Sequence, residues 1–278
     1  MKIGIWLGEY SPQAGGAYTL IETIKQQILA CRQTKHEYLF LFADPRSPST
    51  MEIDTFTYVN LYTPKTYLVQ RLFRRLKKTK SRPILDVAAE KCGIDLFWFV
   101  FPMKAQLSYP YIYTIWDLGH REVPFFPEVS RTGWIWDERE DCYNAMVFKA
   151  SYVITGNEAG KREIITNYPV PPSKVRVVPF PVAGFCYGDE SKPTIPLPDR
   201  FFFYPAQFWP HKNHIRILQA LKILRDEHGK EFNVVFTGSD KGNKQYIIDA
   251  ITKYGLEESV IFPGFVSDSE LKYLYRHA

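Results

Sequence analysis

The segment FFFYPAQFWPHKNHIRILQALKIL, residues 201 to 224, sets Pro210, His211, Lys212 and Asn213 between an apolar run of strand type and a helical pattern. Where a strand ends and a helix begins, free amide groups and the helix dipole favour an anion. Lys212 adds a point charge there that a diphosphate could use. The same four residues have a plainer reading, in which Asn213 caps the helix and Lys212 is a solvated side chain. Gly15 and Gly16 raise a parallel question. A glycine pair entering the first helix either lets backbone approach a ligand closely or makes a turn with none, and no G-x-G-x-x-G fingerprint accompanies it.

Strand-length apolar runs alternating with helical patterns must position these residues. MKIGIWL precedes Ala17, Leu20, Ile21, Ile24 and Ile28, whose spacing of three and four makes one helical face. EYLFLFA (37–43) and FTYVNLY (56–62) read as strands, and helices are expected over 67–78 and 83–91, the latter opened by Pro83 and closed by Gly93. IDLFWFVF (94–101) and YIYTIWDL (111–118) are almost wholly apolar, as strands buried on both faces of a parallel sheet must be. A helix running to Ala150, the strand SYVITGN, a helix from Glu158 and KVRVVPF complete a first domain, set at 1–185. The proline-rich stretch 186–200 reads as a linker. A second block, 201–278, repeats the scheme with FFFYPA, FNVVFTG and VIFPGF, each followed by a helix. Such alternation predicts an α/β fold of doubly wound domains, with ligands at the carboxyl ends of the strands.

With 278 residues, 45% hydrophobic and 23% charged, the chain can build a core in each domain. The cysteines stand alone at 31, 92, 142 and 186, in no zinc-type spacing, as in a reduced, cytoplasmic protein. No metal ligand set is read from the sequence. The N-terminus reads as a strand and not a signal peptide, and no apolar run is long enough to span a membrane. The net charge of +5 is local: no acid lies between Asp54 and Asp86, while Lys65, Arg71, Arg74, Arg75, Lys77, Lys78, Lys80 and Arg82 do. Leu68, Val69, Leu72, Phe73 and Leu76 interleave with these cations, the pattern of a helix on an anionic membrane surface or of a solvated basic helix. Nucleic acid is the least favoured partner.

In order along the chain, the Gly15-Gly16 loop, TIWDLGHREVPFFPE (114–128), ASYVITGNEAGKREI (150–164), KVRVVPFPV (174–182), YPAQFWPHKNHIRILQAL (204–221) and GLEESVIFPGFVSDSELKYLYRHA (255–278) resemble the retaining glycosyltransferases of family 4, glycosyl transferase group 1. The resemblance implies a GT-B-like fold of two Rossmann-like domains, the second incomplete. It implies sugar transfer from a nucleotide-sugar donor to a saccharide or lipid-linked acceptor with retention, in polysaccharide or glycolipid synthesis. The nucleotide sugar would be a co-substrate, with no metal and no further cofactor. Lys212 becomes a diphosphate ligand, Gly15 and Gly16 lie near the donor phosphates and sugar, and Gly238, Gly264, Phe265 and Val266 lie near the base.

Three departures from the family pattern matter. Gln207 stands where the family often has an arginine partner for the lysine. The family's His-Asp pair is Trp116-Asp117 here, with His120 three residues beyond Asp117 in what reads as a loop; Asp117 and His120 are the candidate catalytic residues. An acidic EGFGLP-like stretch, expected after LYRHA, does not follow before Ala278, so part of the donor site is expected to be lacking. The alternatives are a non-catalytic binding fragment and a nucleotide-sugar epimerase of the same fold.

Overall fold

The computed structural model describes residues 1–8, 15–31, 35–43, 50–53, 56–61, 82–131 and 133–278. They form two compact units. The first comprises Met1–Ser11, Ala17–Pro124 and Trp134–Pro181; the second comprises Pro12–Gly16, Phe125–Gly133 and Val182–Ala278. The division falls four residues before the expected boundary at 185, and the two short inserts in the second unit differ from the contiguous domains read from the sequence.

In the first unit the strands are β1 (Lys2–Trp6), β2 (Glu37–Phe42), β3 (Thr50–Ile53), β4 (Phe56–Asn60), β5 (Leu96–Phe99), β6 (Tyr111–Thr114), β7 (Tyr152–Thr155) and β8 (Val175–Val177). They form one sheet in the order β3-β4-β2-β1-β5-β6-β7-β8. All pairings are parallel except β3 with β4, an antiparallel edge that the sequence reading lacks. Crossovers run both ways from the central β1, the doubly wound arrangement. The helices α1 (Gly16–Ala30), α2 (Ile84–Cys92), α3 (Gly119–Glu122), α4 (Pro127–Ser130), α5 (Trp136–Met146) and α6 (Glu158–Asn167) lie between these strands in sequence, α4 belonging to the second unit.

Alternation along the strands explains why both faces are apolar. Leu39, Leu41, Phe97 and Phe99 enter one cluster with α2 and α5 residues, while Ile5 and Phe40 enter another with Ile21 and Ile24 of α1. The helix expected to reach Ala150 is confined to α5. Extended backbone at Ile135 opens it, and beyond Met146 the chain closes in turns to Ala150. The strands expected over 94–101 and 111–118 are likewise shorter, because their ends leave the ladder for loops.

The second unit has β9 (Phe202–Pro205), β10 (Val234–Thr237) and β11 (Val260–Ile261) in the order β11-β10-β9, all parallel. Val234 and Phe236 of β10 pack with Leu218 and Leu221 of α7 (His214–His228) and Ile247 and Ile251 of α8 (Lys244–Tyr254). Val235, on the other face, packs with Phe201 and with Leu274 of α9 (Asp268–His277). A capping box opens α9: Ser267 accepts from the Glu270 amide and Glu270 accepts from the Ser267 amide.

Residues 186–200, expected to be a linker, are docked on α9 instead. The Ser191 amide donates to the Ser269 carbonyl at 3.2 Å, Glu190 faces Arg276 at 3.3 Å, and Leu197 packs beside Leu274. Proline removes helix and strand options there but does not prevent docking through side chains. The basic run 65–82 lies outside the described residues except for Arg82, which pairs with Glu90. Among the described residues no helix is long and apolar enough to cross a membrane.

Candidate functional site

At the carboxyl end of β9 the chain makes a turn that its own side chains hold from several directions. The Gln207 amide donates to Ser239 Oγ at 2.9 Å, and Gln207 Oε1 accepts from Trp209 Nε1 at 3.1 Å. Phe208 forms a parallel bridge with Asp240, tying this turn to the loop after β10. Residues Pro210–Lys212 form a single 3-10 turn, and Tyr204 Oη donates to the Lys212 carbonyl at 2.8 Å. Asn213 adopts φ 56° and makes no side-chain cap, so the expected capping role is replaced by a left-handed link between the turn and α7. The link works because asparagine tolerates this region better than other non-glycine residues.

Lys212 is therefore fixed at its backbone and exposed at its side chain, at the N-terminus of a 15-residue helix. It makes no ion pair among the described residues. Two further cations, which the sequence reading passed over, stand at the same end of the sheet. Lys241 Nζ lies 5.7 Å from the Trp209 ring centroid, and Lys244 Nζ lies 5.3 Å from that of Phe262. Three lysines and a helix N-terminus, with Asp240 beside them held by the Gly242 and Lys244 amides, make a place for an anion.

His214 opens α7 and is wholly buried. It stacks on Phe208 at 4.4 Å and lies edge-on to Tyr204 and Phe236, and among the described residues neither ring nitrogen reaches a partner at ordinary hydrogen-bond geometry. Burial pushes its imidazole below the usual 6.5; the Ala206 backbone opposes this and the Lys212 charge adds to it.

The glycines divide by geometry. Gly15 has φ 66°, and a Cβ built on it would lie 2.9 Å from Gln207 Nε2, so the structure brings these two expected site residues together within the second unit. Gly16 begins α1, and among the described residues no atom outside its own helix and neighbours lies within 4 Å of a Cβ built on it. Gly238 has a packing reason of its own: a Cβ there would lie 2.3 Å from the Ala206 carbonyl oxygen. Gly264 has φ 80° with nothing nearby, Phe265 is 90% exposed, and Val266 is partly buried against the Val235 cluster.

Asp117 and His120 belong to the first unit and have contrasting environments. The Asp117 side chain is 67% exposed; its Oδ1 accepts from the Gly119 amide at 2.9 Å and lies 3.7 Å from Arg139. His120, expected in a loop, is in α3 and fully buried beneath Trp136 and Tyr143. Its Nε2 meets Glu140 Oε1 at 2.7 Å, where Arg121 Nε and Tyr168 Oη also donate, at 2.8 and 2.9 Å. Burial alone would raise the Glu140 carboxyl, but hydrogen bonds from Arg121, His120 and Tyr168 hold it below its usual range. Burial pushes His120 down, against the pull of Glu140. As placed, the His120 ring is held by Glu140 and presents no atom to solvent.

Comparison with known families matches residues 189–278 to Glycosyl transferases group 1. No curated protein matches the chain. Among solved structures, sucrose-phosphate synthase from Thermosynechococcus elongatus is 15% identical with a TM-score of 0.65, over 100% of this chain and 73% of that one. S. aureus TarM, in complex with Fondaparinux, alpha-GlcNAc-glycerol and UDP, is 10% identical with a TM-score of 0.60, over 95% and 77%. Anabaena HepE, in complex with UDP, is 16% identical with a TM-score of 0.56, over 99% and 72%. The α/β fold of this chain is that of these GT-B glycosyltransferases.

Proposed function

We propose that the protein is a retaining glycosyltransferase that moves a sugar from a nucleotide-sugar donor to a saccharide or lipid-linked acceptor, in cell-surface polysaccharide or glycolipid synthesis. The observation that carries this reading is Lys212. It is backbone-anchored, exposed and without an ion-pair partner among the described residues, at the helix N-terminus inside the segment that matches the group 1 family.

In the proposed reaction the bond from the anomeric carbon to the diphosphate oxygen breaks, and the acceptor oxygen bonds to the same carbon on the same face. The acceptor hydroxyl passes its proton to the departing diphosphate oxygen, which leaves with the bonding electron pair. Negative charge grows on that diphosphate, and fixed cations aimed at it stabilise the transition state without reorganisation. Lys212, Lys241 and Lys244 are the side chains proposed for that work, with Gly15 and Gln207 beside the donor. The nucleotide sugar is the co-substrate and the reading invokes no metal. In the first unit, Asp117 is proposed as the catalytic residue, with His120 beside it held by Glu140.

Incubating the full chain with a panel of nucleotide sugars and candidate acceptors, and measuring nucleoside diphosphate release, tests the reading. Acceptor-dependent release supports it; nucleotide-sugar binding without release favours the binding-module alternative, and interconversion of the sugar without transfer favours the epimerase. A further proposal is that the basic run 65–82 holds the protein on an anionic membrane surface.

A further inference from the structure

Glu128 is the acid whose placement the proposed reaction leaves unexplained. It sits on α4, is 7% exposed, and lies in the second unit with the Lys212 turn. Its Oε1 pairs with His211 Nδ1 and also accepts from the His211 backbone amide at 3.3 Å. Its Oε2 is buried with no partner among the described residues. Gly133 lets the segment close on this turn: its φ is 81°, and a Cβ there would lie 3.3 Å from the Glu128 carbonyl and 3.6 Å from the Trp209 ring. Phe126 packs edge-on to the His211 ring, centroids 6.1 Å apart.

A buried carboxylate is costly unless paired, and this one has an imidazole as its side-chain partner. The pairing has a chemical consequence. A carboxylate accepts and does not donate, so Nδ1 must carry hydrogen, and the chemistry left to the ring is all at Nε2. Neutral, the ring offers a lone pair there; protonated, it offers an N–H donor. His211 Nε2 has no partner among the described residues, its side chain is 35% exposed, and the next residue is Lys212. The titratable groups on the surrounding elements are Glu128 on α4, Lys212 in the turn, His214 at the start of α7 and Lys241 over Trp209.

We infer that Glu128 and His211 form a carboxylate–imidazole pair that presents one hydrogen bond, from a protonated His211 Nε2, to a phosphate oxygen of the ligand at the Lys212 turn. This deepens the nucleotide-sugar reading and rests on it. Glu128 is the positioning residue, fixing tautomer and ring orientation. His211 is the group that touches the ligand. The proton on Nε2 comes from solvent, and the Nε2–H donates to the phosphate.

The test is titration calorimetry of the full chain with inorganic pyrophosphate and with UDP, each in two buffers of different ionisation enthalpy, across pH 6 to 8. Because both probes titrate themselves, the informative quantity is the difference between wild type and His211→Gln. Wild type is expected to take up more protons on binding than the variant, and to lose affinity more steeply with rising pH, by roughly tenfold over the range in which imidazoles titrate. Glu128→Gln, which keeps a hydrogen-bonding side chain without the charge, is expected to shrink that difference while binding persists. His211→Gln keeps the test open if Glu128→Gln does not fold, since its side chain is partly exposed. Binding with equal proton uptake in wild type and His211→Gln overturns this inference and leaves the glycosyltransferase reading standing. Failure of both probes to bind overturns both.

Discussion

Replacing Gly238 by alanine is expected to destabilise the second unit more than any other single methyl addition at the site glycines. Gly238 follows β10 with φ 144°, a conformation that side chains with a Cβ rarely adopt. The added methyl would lie 2.3 Å from the Ala206 oxygen, 2.6 Å from its carbonyl carbon and 2.8 Å from Gln207 Cα. All three are backbone atoms, so no side-chain rotation relieves the contact. The Phe208–Asp240 bridge and the Gln207–Ser239 hydrogen bond resist movement of that backbone. Backbone strain of about 1–3 kcal/mol and overpacking of similar size together make roughly 2–6 kcal/mol. Gly264→Ala is the control, because its φ of 80° brings strain but no atom lies within 4 Å of the new methyl; its cost is about 1–2 kcal/mol. Hydrogen exchange of peptides covering β9 and β10, followed through a urea series, reads the second unit separately from the first. Equal destabilisation by the two substitutions would refute the claim that Gly238 is there for close backbone packing.

Lys212→Ala is expected to lower turnover by roughly tenfold or more, with partial retention in Lys212→Arg, because a fixed charge at the leaving diphosphate is lost; unchanged kinetics would remove Lys212 from the reaction. His120 and His214 both have folded pKa values below 6.5 because of burial. The unfolded chain therefore binds more protons as the pH falls, and stability present above about pH 6.5 is lost as pH drops toward the folded values. His214→Phe, filling the same aromatic surroundings, should flatten that decline in unfolding experiments at pH 7.5 and 5.5, and an unaltered slope would assign the loss elsewhere. For the basic run, binding to anionic vesicles should weaken steeply with salt, since charges are screened over about 10 Å at 0.1 M. Changing Arg71, Arg74, Arg75 and Lys78 to glutamine should abolish it, and equal binding to neutral vesicles would rule out an electrostatic cause.

What could be read from sequence here is what neighbours in the chain decide. Both faces of each sheet are covered, so β1, β2, β5 and β10 appear as apolar runs, and α1 and α7 show their buried faces at helical spacing. The Lys212 turn was legible for the same reason: strand, proline, lysine and helix are contiguous. The antiparallel β3 was missed because Thr50–Ile53 carries an acid in a short edge pairing and no long apolar run. The polar pairs that organise the candidate sites were illegible because their partners are set by tertiary packing. Glu128 and His211 are 83 residues apart, and His120 and Glu140 are 20 apart on different helices. Nothing in VPFFPEVS or in WDEREDCYNAM distinguishes the acid that is buried from those that are solvated. His120 shows the consequence. By position it is a polar residue beyond a central strand, where ligands bind in this fold, but Glu140, Arg121 and Tyr168 draw its ring into the protein. The exposed carboxylate of Asp117 is what that network leaves at the strand end. A candidate ligand contact therefore passes from His120 to Asp117, and the decision is made by Glu140 on α5, not in the segment after β6 that carries them both.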